Sequence, residues 1–247
     1  MVNFLRFRRS DKKIGFFARN VVDGPESEML KAFVRQYAEE IRTDAKHYAL
    51  FYEPLVPTGY PDLVVVQYSP AIYDHWERHR MSLQVSDLKI LHHLHFVHGA
   101  TSGLLRKKLG IECQQLFESL ERLMDAKLVN RKEGAWMPTN LKNVYGIRRI
   151  KAIEAKISDW GNVLKQADVN RLFASESYIL SPVANPSPHI VAQAHEKGVG
   201  IFSLPKGEKF KTLQKPACMS GLPVSYASWL FNEWIGRKLA QGERMAQ

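Results

Sequence analysis

The period of the hydrophobic pattern changes several times along the chain. In "DGPESEMLKAFVRQYAEEI", turn residues are followed by Met29, Leu30, Phe33, Val34, Tyr37, Ala38 and Ile41 at helical spacing. This predicts an amphipathic helix. "HYALFYEPLV" reads as a strand, "PTGYPD" as a turn and "LVVVQ" as a second, buried strand. Together they form a candidate hairpin. Residues 71–82 are polar, aromatic and basic. From residue 84 the pattern is that of a small helical domain. "VSDLKILHHLHFVH" is helical in period, and "TSGLLRKKLG" is a short helix with Thr101 or Ser102 as cap and Gly110 as stop. "ECQQLFESLERLMDAK" is a third helix with Leu116, Leu120, Leu123 and Met124 on one side. "LVNRKEGAWMP" then reads as strand, turn at Glu133-Gly134, strand.

After about residue 146 the pattern of alternating strands and helices returns. In "KAIEAKISDW", Ile153, Ala155 and Ile157 alternate with Glu154 and Lys156, which fits a half-buried strand. The charges at Glu154 and Lys156 are unusual on such a strand. Ser158 can cap a helix from Asp159 to Ala174, with Trp160, Val163, Leu164, Ala167 and Arg171 on one line. "SYILSP", "PHIVAQAHEKG" and "VGIFSLP" then read as strand, helix and strand, a βαβ unit with parallel strands. "LPVSYASWLFNEWIGRKLAQ" closes the chain as a helix. Its Trp229, Phe231 and Trp234 suit a core or an interface.

Composition adds a partner. The 247 residues carry a net charge of +10. That excess suits a polyanion, most simply nucleic acid. Arg6, Arg8, Arg9, Lys12 and Lys13 make the start basic, a solvated or DNA-facing arm. No run approaches the roughly 18 apolar residues of a membrane helix, and charges sit where a signal peptide needs apolar residues. Cys113 and Cys218 form no metal-binding spacing. A cytoplasmic protein with reduced thiols and no membrane association is expected.

The chemistry-bearing residues lie on the two α/β stretches. Pro61-Asp62 stands at the mouth of "LVVV". Glu154-Ala155-Lys156 lies on the strand after the helical stretch. Glu26 shares the stripe of Leu30, Phe33 and Tyr37, while Glu28 points away. Two residues of offset put Glu154 and Lys156 on one face of a strand. Three helices followed by a β-hairpin, with "LERLMDAKLVNRKEGAWMP" as their end, resemble a winged helix-turn-helix. The remainder resembles the PD-(D/E)XK nuclease superfamily over residues of about 24–68 and 147–205.

The resemblance implies a restriction-endonuclease-like mixed sheet flanked by helices. It spans residues 1–70 and 146–247, interrupted by a winged helix-turn-helix at 71–145. Asp62 and Glu154 would bind Mg²⁺ or Mn²⁺, Ala155 would add its carbonyl and Lys156 would act on the attacking water. Glu26 matches a helix glutamate of some members, and Gln166 a glutamine that others use beside the site. Two departures stand out. Asp62 and Glu154 are separated by 91 residues, where the family has a short hairpin. Asn170 stands where the Gln166 pattern continues with a Tyr.

The implied activity is metal-dependent endonucleolytic hydrolysis of double-stranded DNA, with a homodimer able to cut both strands. The alternatives are a non-catalytic DNA-binding regulator on the same scaffold, and a nuclease acting on RNA or single strands. In the helical stretch, Arg106, Lys107, Lys108, Arg131 and Lys132 suit phosphate contacts, and Gln114 and Gln115 suit base contacts. The third helix itself is acidic, since Glu112, Glu118, Glu121 and Asp125 outnumber Arg122. His92, His95 and His98 drift across a helix face and suit a helix surface or partly buried histidines better than a zinc site.

Overall fold

The computed structural model describes residues 4–7, 10–20, 22–42 and 45–242. Arg8 and Arg9 of the basic start lie outside the described residues. In chain order the elements are β1 (Phe4–Phe7), α1 (Pro25–Arg42), β2 (His47–Tyr52), β3 (Leu63–Tyr68), α2 (Val85–Val97), α3 (Ser102–Leu109), α4 (Cys113–Asp125), β4 (Val129–Lys132), β5 (Ala135–Pro138), α5 (Leu141–Val144), β6 (Ile147–Ala155), α6 (Trp160–Asn170), β7 (Glu176–Ser181), α7 (Pro188–Glu196), β8 (Gly200–Ser203), β9 (Lys211–Gln214) and α8 (Tyr226–Ala240). The chain divides into two compact units.

The first unit comprises residues 1–9, 17–68 and 147–223. Its seven-stranded mixed sheet has the order β1-β2-β3-β6-β7-β8-β9. β2 and β3 form the expected antiparallel hairpin. β6, β7 and β8 run parallel, as the βαβ pattern predicts. The chain leaves the sheet at Tyr68 and re-enters it at Ile147, and these two residues are register partners. The excursion therefore leaves and returns at one point of the β3–β6 ladder.

Helices cover both faces of the sheet. On one, Leu30, Phe33, Val34, Tyr37 and Ile41 of α1 pack against Tyr48, Leu50, Leu63, Val65, Ile153 and Tyr178. On the other, Val163, Leu164 and Ala167 of α6 and Ala194 of α7 pack against Ile179 and Ile201. Two covered faces explain the near-continuous apolar runs of β3 and β7. They also correct the half-buried reading of β6. Ala152 through Ala155 are all buried, and the strand ends before Ile157, which is exposed. The following helix is shorter than its pattern. Asp159, not Ser158, caps it by accepting from the Asn162 amide, and Arg171 of the predicted line is exposed.

The second unit comprises residues 10–16, 69–146 and 224–247. α2, α3 and α4 are followed by the β4–β5 hairpin, in the expected order. Thr101 caps α3 and Gly110 ends it at φ 63°. Glu133 and Gly134 turn the hairpin at φ 50° and 81°, as a two-residue hairpin loop with both φ positive requires. Leu116, Leu120 and Leu123 are buried as expected, but Met124 is exposed and Ser119 takes the inner position.

The closing helix α8 groups with this second unit, not with the sheet, and so corrects the boundary read from the sequence. Every residue from Ala227 to Arg237 is buried. Arg237 donates to the carbonyls of Arg80 and Leu83, and Glu233 is ion-paired with the buried Arg80. Asn232 accepts from the Tyr73 hydroxyl and the Gly146 amide. A helix buried all round is a core helix, but its pattern does not say of which core.

Candidate functional site

The antiparallel register sets Leu63 opposite Ile153, so Asp62 and Glu154 meet at neighbouring strand ends. Both side chains occupy the α6 face by strand alternation. The Ala155 amide donates to Asp62 Oδ2 at 2.7 Å, and this bond fixes the aspartate across the gap of 91 residues. Glu154 is 5% exposed. Burial pushes Asp62 up to about 6, against the Ala155 bond that pulls it down. Burial and the Asp62 charge push Glu154 up to about 8. Two carboxylates share a low-dielectric space that only an added cation or a proton would relieve.

Lys156 follows the end of β6 and extends the ladder, its amide donating to the Leu180 carbonyl. Its ammonium lies 3.0 Å from Glu26 Oε1 and 3.2 Å from Oε2. Glu26 also accepts from the Ile157 amide at 3.4 Å. The first turn of α1 thus holds the lysine just past the strand. The hydrogen bond to Glu26 raises the Lys156 ammonium above its usual value, so it is charged at neutral pH. Glu26 joins the site through Lys156 and the Ile157 amide, and Glu28 is exposed as expected.

Gln166 does not reach the carboxylates; it is exposed on α6. One turn further on, Asn170 is buried and donates Nδ2 to Glu154 Oε1 at 2.6 Å. The signal was present as the departure from the Gln–Tyr pattern: the residue at that point is an amide that donates to a carboxylate. Sequence reasoning also missed Glu53. This buried carboxylate follows β2 at φ 42°, a conformation uncommon for a residue with a side chain. Its amide donates to the Asp62 carbonyl at 3.1 Å, and its carboxylate accepts from Arg19 Nε at 2.6 Å. The Glu53 charge adds to the upward push on both Asp62 and Glu154. The Glu-Pro dipeptide at the strand end gave no hint of this.

The donor set suits a hard divalent cation. Mg²⁺ takes oxygen ligands, keeps several waters and needs only one or two carboxylates from a protein. Among the described residues, no group of three or more His, Cys, Asp or Glu side chains converges as a ligand set. The carboxylates nearest one another at this strand end are Asp62 and Glu154, with the Ala155 amide bonded to Asp62.

In the second unit, Arg106, Lys107, Lys108, Gln114, Gln115, Arg131 and Lys132 are all exposed. The first three occupy the last turn of α3. Gln114 bonds Glu118 one turn on in α4, and Arg131 lies over the Trp136 ring at 5.7 Å. Arg122 is not available to a ligand, because it makes two 2.8 Å bonds to the fully buried Asp87. His92 and His95 are partly buried against Tyr226 and Trp229 of α8. Among the described residues no helix is long and apolar enough to cross a membrane.

No family model, curated protein or solved structure matches this chain significantly.

Proposed function

We propose that the protein is a metal-dependent nuclease of the PD-(D/E)XK type that hydrolyses DNA phosphodiesters. The observation that carries this reading is the half-buried Asp62 beside the buried Glu154, with a charged lysine anchored just past them. Such a pair is costly without a counter-charge. Asp62 and Glu154 would hold Mg²⁺ or Mn²⁺ together with the Ala155 carbonyl. When bound, the ion supplies charge stabilisation on the phosphoryl oxygens and lowers the pKa of a water.

The chain's own residues do the rest. Asn170 fixes the rotamer of Glu154. The Ala155 amide fixes Asp62. Lys156, held by Glu26, donates to a non-bridging phosphate oxygen or to the attacking water. Water adds to phosphorus, one P–O bond to sugar breaks, and the leaving oxygen takes a proton. Arg106, Lys107, Lys108, Arg131 and Lys132 would contact phosphates, with Gln114 and Gln115 at base edges. Two copies would be needed to cut both strands together.

The test is incubation of the full chain with supercoiled duplex, single-stranded DNA and RNA in Mg²⁺, Mn²⁺ or EDTA. Nicking or linearisation of duplex that EDTA abolishes is expected. Duplex binding without cleavage in any metal would favour a regulator. Cleavage of RNA or single strands alone would replace the substrate.

A further inference from the structure

The α1 face of the sheet carries a second anomaly, at the end of the strands away from Asp62 and Glu154. Four inward-facing positions on neighbouring strands carry polar groups where the same face elsewhere carries core. They are Gln67 of β3, Arg149 and Lys151 of β6, and Glu176 of β7. Gln67 is the register partner of Arg149, and Lys151 of Glu176. There α1 runs out, and a cavity of about 440 Å³ opens between Tyr37 and Ile41 of the helix and these strands, with Tyr48 and Val65 in its floor. That volume lies within the range of about 300–1,000 Å³ typical of small-molecule sites.

The charges do not cancel. Glu176 accepts from Arg149 Nη1 at 2.8 Å and from the Tyr178 hydroxyl at 3.0 Å, with Lys151 Nζ at 3.4 Å. One acid therefore faces two bases, the partly buried Lys151 and the exposed Arg149, leaving one positive charge in excess at the cavity. Arg149 commits Nη1 to Glu176 and to Cys218 Sγ, out of five guanidinium N–H donors. Its side chain is about half exposed, at 53%. Lys46 and Glu40 add one charge of each sign to the lining, so the excess stands.

Excess positive charge, aromatic walls and a side-chain amide select an anionic ligand with a planar ring. We propose that this cavity is a binding site for a nucleoside monophosphate. The phosphate sits against Arg149 and Lys151, the ring lies along the Tyr37 and Tyr48 side, and Gln67 reads the ring edge. The inference does not depend on nuclease activity, since none of these residues belongs to the Asp62–Glu154 site.

The test is calorimetric titration of the full chain with AMP, GMP, CMP and UMP, and with adenosine and inorganic phosphate. At least one monophosphate should bind saturably, with nucleoside and phosphate each at least about tenfold weaker, as expected when a charge-assisted contact is lost. Arg149→Gln, at a half-exposed position that should tolerate it, and Lys151→Met should each weaken binding at least about tenfold. Asp62→Asn should leave binding unchanged, which separates this site from the fate of the nuclease reading. No saturable monophosphate binding would overturn the proposal. So would equal affinity for inorganic phosphate, or wild-type affinity in a folded Arg149→Gln protein.

Discussion

Asn170 Nδ2 lies 2.6 Å from Glu154 Oε1, so the last turn of α6 holds the carboxylate at the end of β6. This donor opposes the upward push of burial on Glu154. Replacing it with Leu keeps the volume but removes the donor. Asn170→Leu should slow metal-dependent cleavage by about 10–100-fold, the usual cost of losing a partner that orients a ligand. The pH of half-maximal activity should also rise, which a purely structural role would not produce. A pH–rate profile of both proteins checks this.

The carboxylate pair sets a pH dependence of stability in EDTA. Both folded pKa values are raised, so the folded state binds more protons than the unfolded state between about pH 4 and pH 8. Stability from this source is therefore present below the unfolded values and falls as pH rises through 6 to 8. Glu154→Gln should be more stable than the wild type at pH 8.5 by about a few kcal/mol, and the difference should vanish near pH 4. Thermal unfolding across pH reads this directly.

His95 gives the opposite slope. It stacks on Trp229 with ring centroids 5.2 Å apart, and its Nε2 has no hydrogen-bond partner among the described residues. Burial, then the His92 and His98 charges, push it down to about 4. The folded state resists protonation, so stability present above about pH 6.5 is lost as pH falls toward 4. His95→Phe should flatten the acid limb of the melting curve and leave the limb above pH 7 unchanged.

Gly236 touches Trp76 so closely that a Cβ there would meet the ring at 2.0–2.4 Å. The ring in turn carries the Arg80 guanidinium at 3.7 Å. Gly236→Ala should cost about 1–3 kcal/mol, the range for overpacking a filled core. Denaturant unfolding followed by tryptophan fluorescence checks the loss.

Much of this arrangement was legible before any coordinates. The α1 stripe, the β2–β3 hairpin, the parallel βαβ unit and the helices with their hairpin follow from periodicity, caps and turn residues. Asp62, Glu154 and Lys156 stood out because charges on apolar strands need a reason. What stayed hidden was tertiary. α8 is apolar enough for either core, and only the partners of Asn232, Glu233 and Arg237 assign it to the second unit. Gln166 and Asn170 are one turn apart, and a shift of four residues in a helix cannot be resolved by pattern alone. Glu53 enters the site through a positive φ that its side chain does not advertise. Lys151 and Glu176 each look like ordinary polar strand residues until the register pairs them.

On the proposed reading, Asp62 and Glu154 hold a catalytic divalent ion with Lys156 beside it. The most direct test is the rate of supercoiled DNA cleavage in Mg²⁺ and Mn²⁺ by the wild type, Asp62→Asn and Lys156→Met, with DNA affinity measured in parallel. Metal-dependent cleavage by the wild type is expected, with a loss of at least about 10²-fold in each variant and unchanged affinity. Cleavage at the wild-type rate in either variant, or none in the wild type with either metal, would contradict it.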